Sequence, residues 1–285
     1  MNKITRTQAP VRQASHAAWA LRTTALLLAS AGFSPATQAL ESYVTWDNFN
    51  SSTSIDATRW LATERSRKVE GGQLRFIQRD LGSQYSNSGV FSNSWGENLT
   101  NPAPVTQLKA TLTVNGFDVT GCATNPTDVS TLQARLVGGF FNAGPGVPTS
   151  RINDVGATIR LKRDSNSPDG AGVLRVQGTV FQCTTSDCNY GSIDLGSVDL
   201  GTATLGQAVV LRMDWEQSKK RFSFYRDSDP VQRVTYTASD SLPPYAVFRQ
   251  IGTRTTVANC LGAARTQGFM DASFDKVYVN SSALP

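Results

Sequence analysis

The sequence predicts an all-β protein, a two-sheet antiparallel β-sandwich of jelly-roll type, and three observations carry that prediction. Apolar and polar residues alternate with a period of two in segment after segment. Clusters of Gly, Asn, Ser and Thr separate those segments at short intervals, as turns between strands do. After the N-terminal region, no stretch repeats apolar residues at helical spacing over the length of an amphipathic helix. Only S-I-D-A-T-R-W from Ser54 has the makings of a capped helical turn.

The N-terminal region stands apart. Residues 1–39 contain no acid and four cations, Lys3, Arg6, Arg12 and Arg22, around the apolar run T-T-A-L-L-L-A-S-A-G-F. That run is shorter than the roughly 20 residues needed to span a bilayer. Small residues follow at Ala36, Thr37 and Ala39, so residues 1–39 are expected to be an export signal cleaved after Ala39. Arg22 argues against the alternative of an uncleaved anchor, and no later segment is apolar enough to span. The mature chain is expected to be secreted, periplasmic or displayed at the cell surface. Residues 40–285 are expected to form one domain, because no linker, charge block or internal repeat divides them.

Setting the four signal cations aside leaves 23 Lys+Arg against 22 Asp+Glu. A nearly neutral chain gives nucleic acid little to bind, so no nucleic-acid partner is expected. The one histidine, His16, lies in the signal. Catalytic triads with histidine, Cys-His dyads and His-ligated zinc are thereby excluded from the mature chain.

The strands follow in order. In Q-L-K-A-T-L-T-V, Leu108, Ala110, Leu112 and Val114 share one face and Gln107, Lys109, Thr111 and Thr113 the other. Leu132, Ala134 and Leu136 alternate with Gln133 and Arg135, and Ala157, Ile159 and Leu161 with Thr158, Arg160 and Lys162. Each pattern predicts a half-buried antiparallel strand whose polar side is wet. Val209, Leu211, Met213 and Trp215 alternate with Arg212, Asp214 and Glu216, and K-K-R-F-S-F-Y follows a polar turn at Gln217 and Ser218, which predicts a hairpin. About a dozen short strands of this kind make a sandwich or jelly roll.

Four cysteines in an exported chain predict two disulfides. Of the three pairings available, Cys183 with Cys188 is favoured, because C-T-T-S-D-C can close a strand-connecting loop. That leaves Cys122 for Cys260. A zinc site made by all four cysteines is the rival, and the C-x4-C spacing lacks the C-x-x-C arrangement of redox catalysts.

The segments W-D-N-F-N-S-S-T-S-I-D-A-T-R-W from Trp46, V-E-G-G-Q-L-R-F from Val69 and M-D-A-S-F-D-K-V-Y-V-N from Met270 resemble the two ends of concanavalin A-like lectin/glucanase domains. In that family the closing strand pairs beside the first. The resemblance implies the sandwich fold and leaves activity open, since laminin-G-like modules, lectins and glucanases share it. Family glucanases carry E-x-D-x-E or E-x-D-x-x-E on one strand face, giving an acid and a nucleophile about 5–5.5 Å apart in retaining enzymes. The nearest string here is R-M-D-W-E, in which Arg212 stands where the first Glu belongs. Asp214 and Glu216 are therefore candidates for catalysis only in a broken motif, and the bland alternative makes them partners of Arg212.

Such sandwiches often carry a structural Ca2+, and Asp47 and Asp275, one near each end of the domain, are the candidate oxygen ligands. The turn R-D-S-N-S-P-D-G, with Asp164, Asn166 and Asp169, is explained as well by turn chemistry. Sugar binding calls for aromatic rings beside amide and carboxylate groups. The turn-rich stretch from Gln84 to Asn98 is the expected binding loop, with Tyr85, Trp95, Asn93 and Glu97 as its ligand-contacting residues. Its alternative has Trp95 and Phe91 anchoring the loop to the core. Tyr190 and Tyr245 are weaker candidates, and Lys219, Lys220 and Arg221 form a short cationic hairpin tip.

The sequence thus supports a secreted or cell-surface non-catalytic module that binds a glycan or cell-surface polysaccharide, with no obligatory cofactor. A glycan-cleaving enzyme using a carboxylate pair is the first alternative. A structural or adhesive extracellular protein is the second.

Overall fold

The computed structural model describes residues 64–145, 149–188, 191–262 and 265–283, all within the unit Trp46–Pro285. The expected export signal, Asp47, Tyr190 and the segment from Trp46 to Trp60 lie outside the described residues. The described chain forms 13 strands: β1 Glu64–Glu70, β2 Gln73–Leu81, β3 Val90–Asn98, β4 Gln107–Val119, β5 Thr131–Asn142, β6 Asp154–Asp164, β7 Val173–Cys183, β8 Ser192–Thr204, β9 Ala208–Glu216, β10 Arg221–Arg226, β11 Gln232–Thr235, β12 Phe248–Ala258 and β13 Gln267–Val279. A seven-stranded sheet has the order β1-β2-β13-β4-β9-β10-β11, and a six-stranded sheet the order β3-β12-β5-β6-β7-β8. All named pairings are antiparallel. This is the predicted all-β sandwich.

Period-two alternation sorts the side chains. Leu108, Ala110, Leu112 and Val114 of β4, Leu211 and Met213 of β9 and Phe222 and Phe224 of β10 face inward from one sheet. Leu132, Ala134 and Leu136 of β5 and Ala157, Ile159 and Leu161 of β6 meet them from the other. The predicted hairpin is β9–β10, turned by the short 3-10 segment Gln217–Lys219 and by Lys220 in the left-handed conformation. At one end of the core, Trp215, Phe140, Phe141, Phe222 and Tyr236 pack ring against ring. The half-buried Trp215 indole donates to the Tyr236 hydroxyl at 2.8 Å, which satisfies its N–H at the edge of the core.

Both disulfides are those favoured from spacing. Cys122–Cys260 ties the β4–β5 connection to the β12–β13 connection across 138 residues, and Cys183–Cys188 closes a loop of five at the end of β7. The long bridge removes more freedom from the unfolded chain. Thiols pair in this way in an oxidising compartment, which agrees with an extracellular or lumenal setting. Among the described residues no helix is long and apolar enough to cross a membrane.

Strand β13, with the segment from Met270, pairs with β2 and β4, and so lies beside the strand that carries Gln73–Phe76 of the opening segment. Two features differ from the sequence expectation. The stretch expected as a binding loop is partly a strand, β3, at the edge of the six-stranded sheet, where it pairs with β12. Finally, the polar side of β5 is not wet: Gln133 and Arg135 are only 7% and 9% exposed. The next strands over each side bring long side chains that cover it.

Candidate functional site

Because alternate residues of a strand project together, the outer face of the six-stranded sheet collects one set of side chains from every strand. Those residues line a groove of about 480 Å³. Arg135 and Val137 come from β5, Thr158 and Arg160 from β6, Thr179 and Phe181 from β7, Phe248, Gln250 and Arg254 from β12, and Ser94 and Asn98 from β3. The Cys183–Cys188 loop, with Ser192 and Asp194 of β8, supplies the wall at the far side.

Glycines hollow the groove. Gly96 of β3 and Gly252 of β12 are register partners, and Gly252 is the residue beside Arg135. A Cβ at Gly252 would collide with the backbone of Trp95 and Gly96, so this row carries no side chain. Gly139 and Gly156, also partners, lie under the rings of Phe248 and Phe181. A Cβ at Gly156 would strike the Phe181 ring, so glycine lets that ring lie against the sheet. The Phe248 end is held by Asp154, which accepts from the Asn142 side chain at 2.8 Å and from the backbone N–H of Tyr245 at 2.9 Å and Ala246 at 3.2 Å. The Arg151 guanidinium stands 5.5 Å from the Phe248 ring centroid.

The groove is strongly cationic. Arg135 and Arg160 are direct register partners across β5 and β6, and Arg254 is paired with Gln133, one step diagonal from Arg135. Arg135 donates to Ser94 Oγ at 3.0 Å, while its buried Nε has no acceptor. Arg160 donates to Gln177 Oε1 at 2.6 Å and to Thr179 Oγ1 at 3.2 Å, and Arg254 to Ser92 Oγ at 3.0 Å. Burial pushes the Arg135 guanidinium down to about 9, with Arg254 and Arg160 adding repulsion. Burial likewise lowers Arg160 to about 10; Asp164 and Asp194 oppose the shift and Arg254 reinforces it.

The residues singled out from sequence lie elsewhere. Asn93, Trp95 and Glu97 occupy the inner side of β3. Asn93 donates to Asp80 Oδ1 at 3.2 Å, Trp95 packs against the core with the Arg67 guanidinium 5.9 Å from its centroid, and Glu97 is ion-paired with Arg67. They turn inward because strand pairing fixes their parity: Ser94 and Asn98, their neighbours, take the groove side. Tyr85 projects to solvent at 89% exposure beside a separate hollow with Gln84 and Phe91. The structure therefore does not bring these four together as one site.

Asp214 and Glu216 lie on the outer face of the seven-stranded sheet, away from the groove. Arg212 grips Asp214 with two donors, at 2.8 and 2.5 Å. Glu216 accepts from Arg221 at 2.7 Å, Lys219 at 2.8 Å and Ser223 at 3.0 Å, and these donors, Arg221 foremost, hold its carboxyl down at about 2. A general acid needs a raised pKa, and Glu216 has the reverse. The cationic hairpin tip is accounted for by the same contacts, with Lys220 donating to the Ala238 carbonyl at 3.3 Å. Asp275 is half-buried on β13. Among the described residues no three His, Cys, Asp or Glu side chains converge on a common point.

Sequence reasoning missed the arginines as a group. Arg135 and Arg160 were legible as outer-face residues, but read as solvated. The available signal was the absence of an acid two residues away on the same face. Arg212 has Asp214 there, while Arg135, Arg160 and Arg254 have none.

No protein-family model matches the chain, and no curated protein matches it. Solved structures similar to it include the exoplasmic/lumenal domain of VIP36 bound to Ca2+ and Man3GlcNAc, at 12% identity over 77% of this chain and 84% of that one, with a TM-score of 0.34. The catalytic domain of an endo-1,3-β-glucanase (laminarinase) from Thermotoga petrophila RKU-1 is 11% identical over 75% and 83%, with a TM-score of 0.35. The CBM2 module of the evolved Dit protein of Lactobacillus casei BL23 phage J-1 is 13% identical over 75% and 80%, with a TM-score of 0.32. What they bind or cleave does not transfer to this chain at such identities.

Proposed function

We propose that the protein is a non-catalytic carbohydrate-binding module, exported to the cell surface or its surroundings, whose ligand site is the groove of the six-stranded sheet. The observation that carries this reading is the pairing of two rings, Phe181 and Phe248, with a floor of hydrogen-bonding side chains from five strands, in a groove of about 480 Å³. A sugar has an apolar ring face and a rim of hydroxyls, and this lining meets both. The volume falls in the range of roughly 300–1,000 Å³ usual for small-ligand sites.

The groove favours binding over cleavage. Among the described residues Asp194 is the one carboxylate lining the groove, so they do not assemble the two-carboxylate arrangement of glycoside hydrolysis there. Asp214 and Glu216 are committed to ion pairs on the opposite sheet.

The test uses the purified, disulfide-intact protein on a broad oligosaccharide array, with calcium and then with chelator. Binding is expected, with no release of reducing ends from bound polymer. Phe181→Ala is expected to weaken binding about 10-fold or more, as loss of a stacked ring does, with an unchanged melting profile. No binding across neutral and acidic oligosaccharides would overturn the proposal. Chelator sensitivity would place calcium in the site's support; its absence would remove Asp275 from consideration.

A further inference from the structure

Arg135 and Arg160 pose an electrostatic problem that no ion pair among the described residues answers. Arg135 and Arg160 face each other across adjacent strands, at the roughly 4.5–5.5 Å Cα spacing of antiparallel partners. Arg254 joins them from the other side, and Arg151 stands at the Phe248 end. Among the described residues, neither Arg135 nor Arg160 forms an ion pair. Arg135 is 9% exposed and keeps its Nε without an acceptor. A guanidinium does not shed its proton near neutral pH, so the repulsion persists in the folded protein. The molecule shows how a buried arginine is treated when its role is internal. Arg249, on the inner side of β12, donates to the carbonyls of Val105, Gly139 and Phe248 and lies 3.7 Å from the Phe140 ring centroid. Arg135 has one hydroxyl partner and an open groove.

We propose that the groove takes an acidic glycan, with an oxyanion substituent of one sugar seated against Arg135, Arg160 and Arg254 while an adjoining ring lies against Phe181 and Phe248. The proposal rests on the glycan-binding reading and narrows it to carboxylate- or sulfate-bearing sugars. The planar fork of a guanidinium matches either group through paired N–H donors. The Arg135 side chain is almost wholly desolvated at the groove, where a charge-assisted bond is stronger than at the surface. The groove extends well past the arginines to the two phenylalanines, which favours an anion carried on a larger apolar-faced ligand over a bare ion. Overall charge favours the same choice over nucleic acid, since the mature chain balances 23 basic with 22 acidic residues and the excess of cations is local to the groove.

Calorimetric titration of the intact protein tests this with five probes: an oligogalacturonate, the same oligomer with its carboxyls reduced, a sulfated neutral oligosaccharide, sodium sulfate and a single-stranded oligonucleotide. The acidic oligomer is expected to bind at least 10-fold more tightly than its carboxyl-reduced form, with a preference that shrinks as salt rises. The sulfated probe separates the two sources of charge: tighter binding of it than of the uronate assigns sulfate, the reverse assigns carboxylate, and either supports the proposal. Arg135→Met and Arg160→Gln should each remove about 10-fold or more from the acidic probe, the effect of losing one bond to a charged group, and lower affinity for the neutral one by a clearly smaller factor. If Arg135→Met fails to fold, Arg160→Gln alone carries the test. Equal affinity for acidic and reduced oligomers would overturn the inference and leave the glycan reading standing. Binding of sulfate or the oligonucleotide without any oligosaccharide would overturn both.

Discussion

The outer faces of the two sheets are built by the same alternation, and arginines on them are partnered in opposite ways. On the seven-stranded sheet, Arg75 clasps Asp271 at 2.8 and 2.6 Å, Arg212 clasps Asp214, and Arg221 with Lys219 surrounds Glu216. Each of these arginines is answered by an acid on its own or the next strand. On the six-stranded sheet, Arg135 and Arg160 are answered by hydroxyls and an amide. These three clusters close their charges locally. The six-stranded sheet concentrates like charge in a hollow, a local conflict of the kind that folded proteins retain at sites of function. Lowered pKa does not by itself mark the site, because burial also holds Arg249 down at about 10. What separates the two is whether the donors have acceptors.

The sharpest way to break that distinction is Arg249→Met. It leaves the Val105, Gly139 and Phe248 carbonyls without a donor in a buried position and removes the contact with Phe140. A loss of about 3 kcal/mol in unfolding free energy is expected, from roughly 1–3 kcal/mol for each buried group left unpaired, reduced by relaxation. Urea denaturation followed by tryptophan fluorescence measures it. A neutral or stabilising result would mean that inner and outer arginines are alike, and the contrast would fail.

Trp95→Ala probes the edge between the two faces. Trp95 packs partly buried against the core from β3, between the inward Asn93 and Glu97. About 2 kcal/mol of stability should be lost, less than the roughly 3–5 kcal/mol of a fully buried Trp. Oligosaccharide affinity at the groove should stay within error of the parent. Lost affinity at unchanged stability would return Trp95 to the binding surface.

These residues also show how far the sequence could be read. Alternation assigned Leu108, Leu132, Ile159 and Met213 to the core, because a side chain's face follows from parity along a strand. It also predicted the β9–β10 hairpin, and cysteine spacing pointed to the two bridges. Parity within one strand does not say which strand lies beside it, and so Gln133 and Arg135 read as wet when Arg254 and Arg160 in fact flank them. The groove is a property of neighbours far apart in sequence: Arg135 and Arg254 are brought together only by the β12–β5 pairing. Trp95 misled for a related reason. The polar, turn-rich composition of its stretch concealed an edge strand, whose parity sends Trp95 inward and Ser94 outward.

Arg135→Met sharpens the comparison from the other side. Removing a buried cation that lacks an anion, and filling its volume with an apolar chain, is expected to stabilise the free protein by about 1 kcal/mol, at the low end of what such replacements yield. The same variant should lose acidic-oligosaccharide affinity. Thermal unfolding of both proteins, with and without ligand, measures the exchange: the variant should melt higher alone, and the parent should gain more from ligand. A variant that melts lower would show that Arg135 supports the fold as Arg249 does.

The smallest effect is expected at Glu216→Gln, in a cluster that closes its own charges. Arg221, Lys219 and Ser223 hold the Glu216 carboxyl at about 2, against 4.5 for the free side chain. The group is near the surface, so solvent screening limits its contribution to about 1 kcal/mol or less. The sign follows from the depressed pKa. The folded state favours the ionised form, so the contribution is complete above the unfolded value near 4.5 and disappears as pH falls toward 2. Stability curves of the parent and Glu216→Gln should therefore differ slightly at pH 7 and merge by about pH 2. A difference that persists at low pH would assign the effect to side-chain shape, and a change in oligosaccharide affinity at pH 7 would connect the two faces that the structure keeps apart.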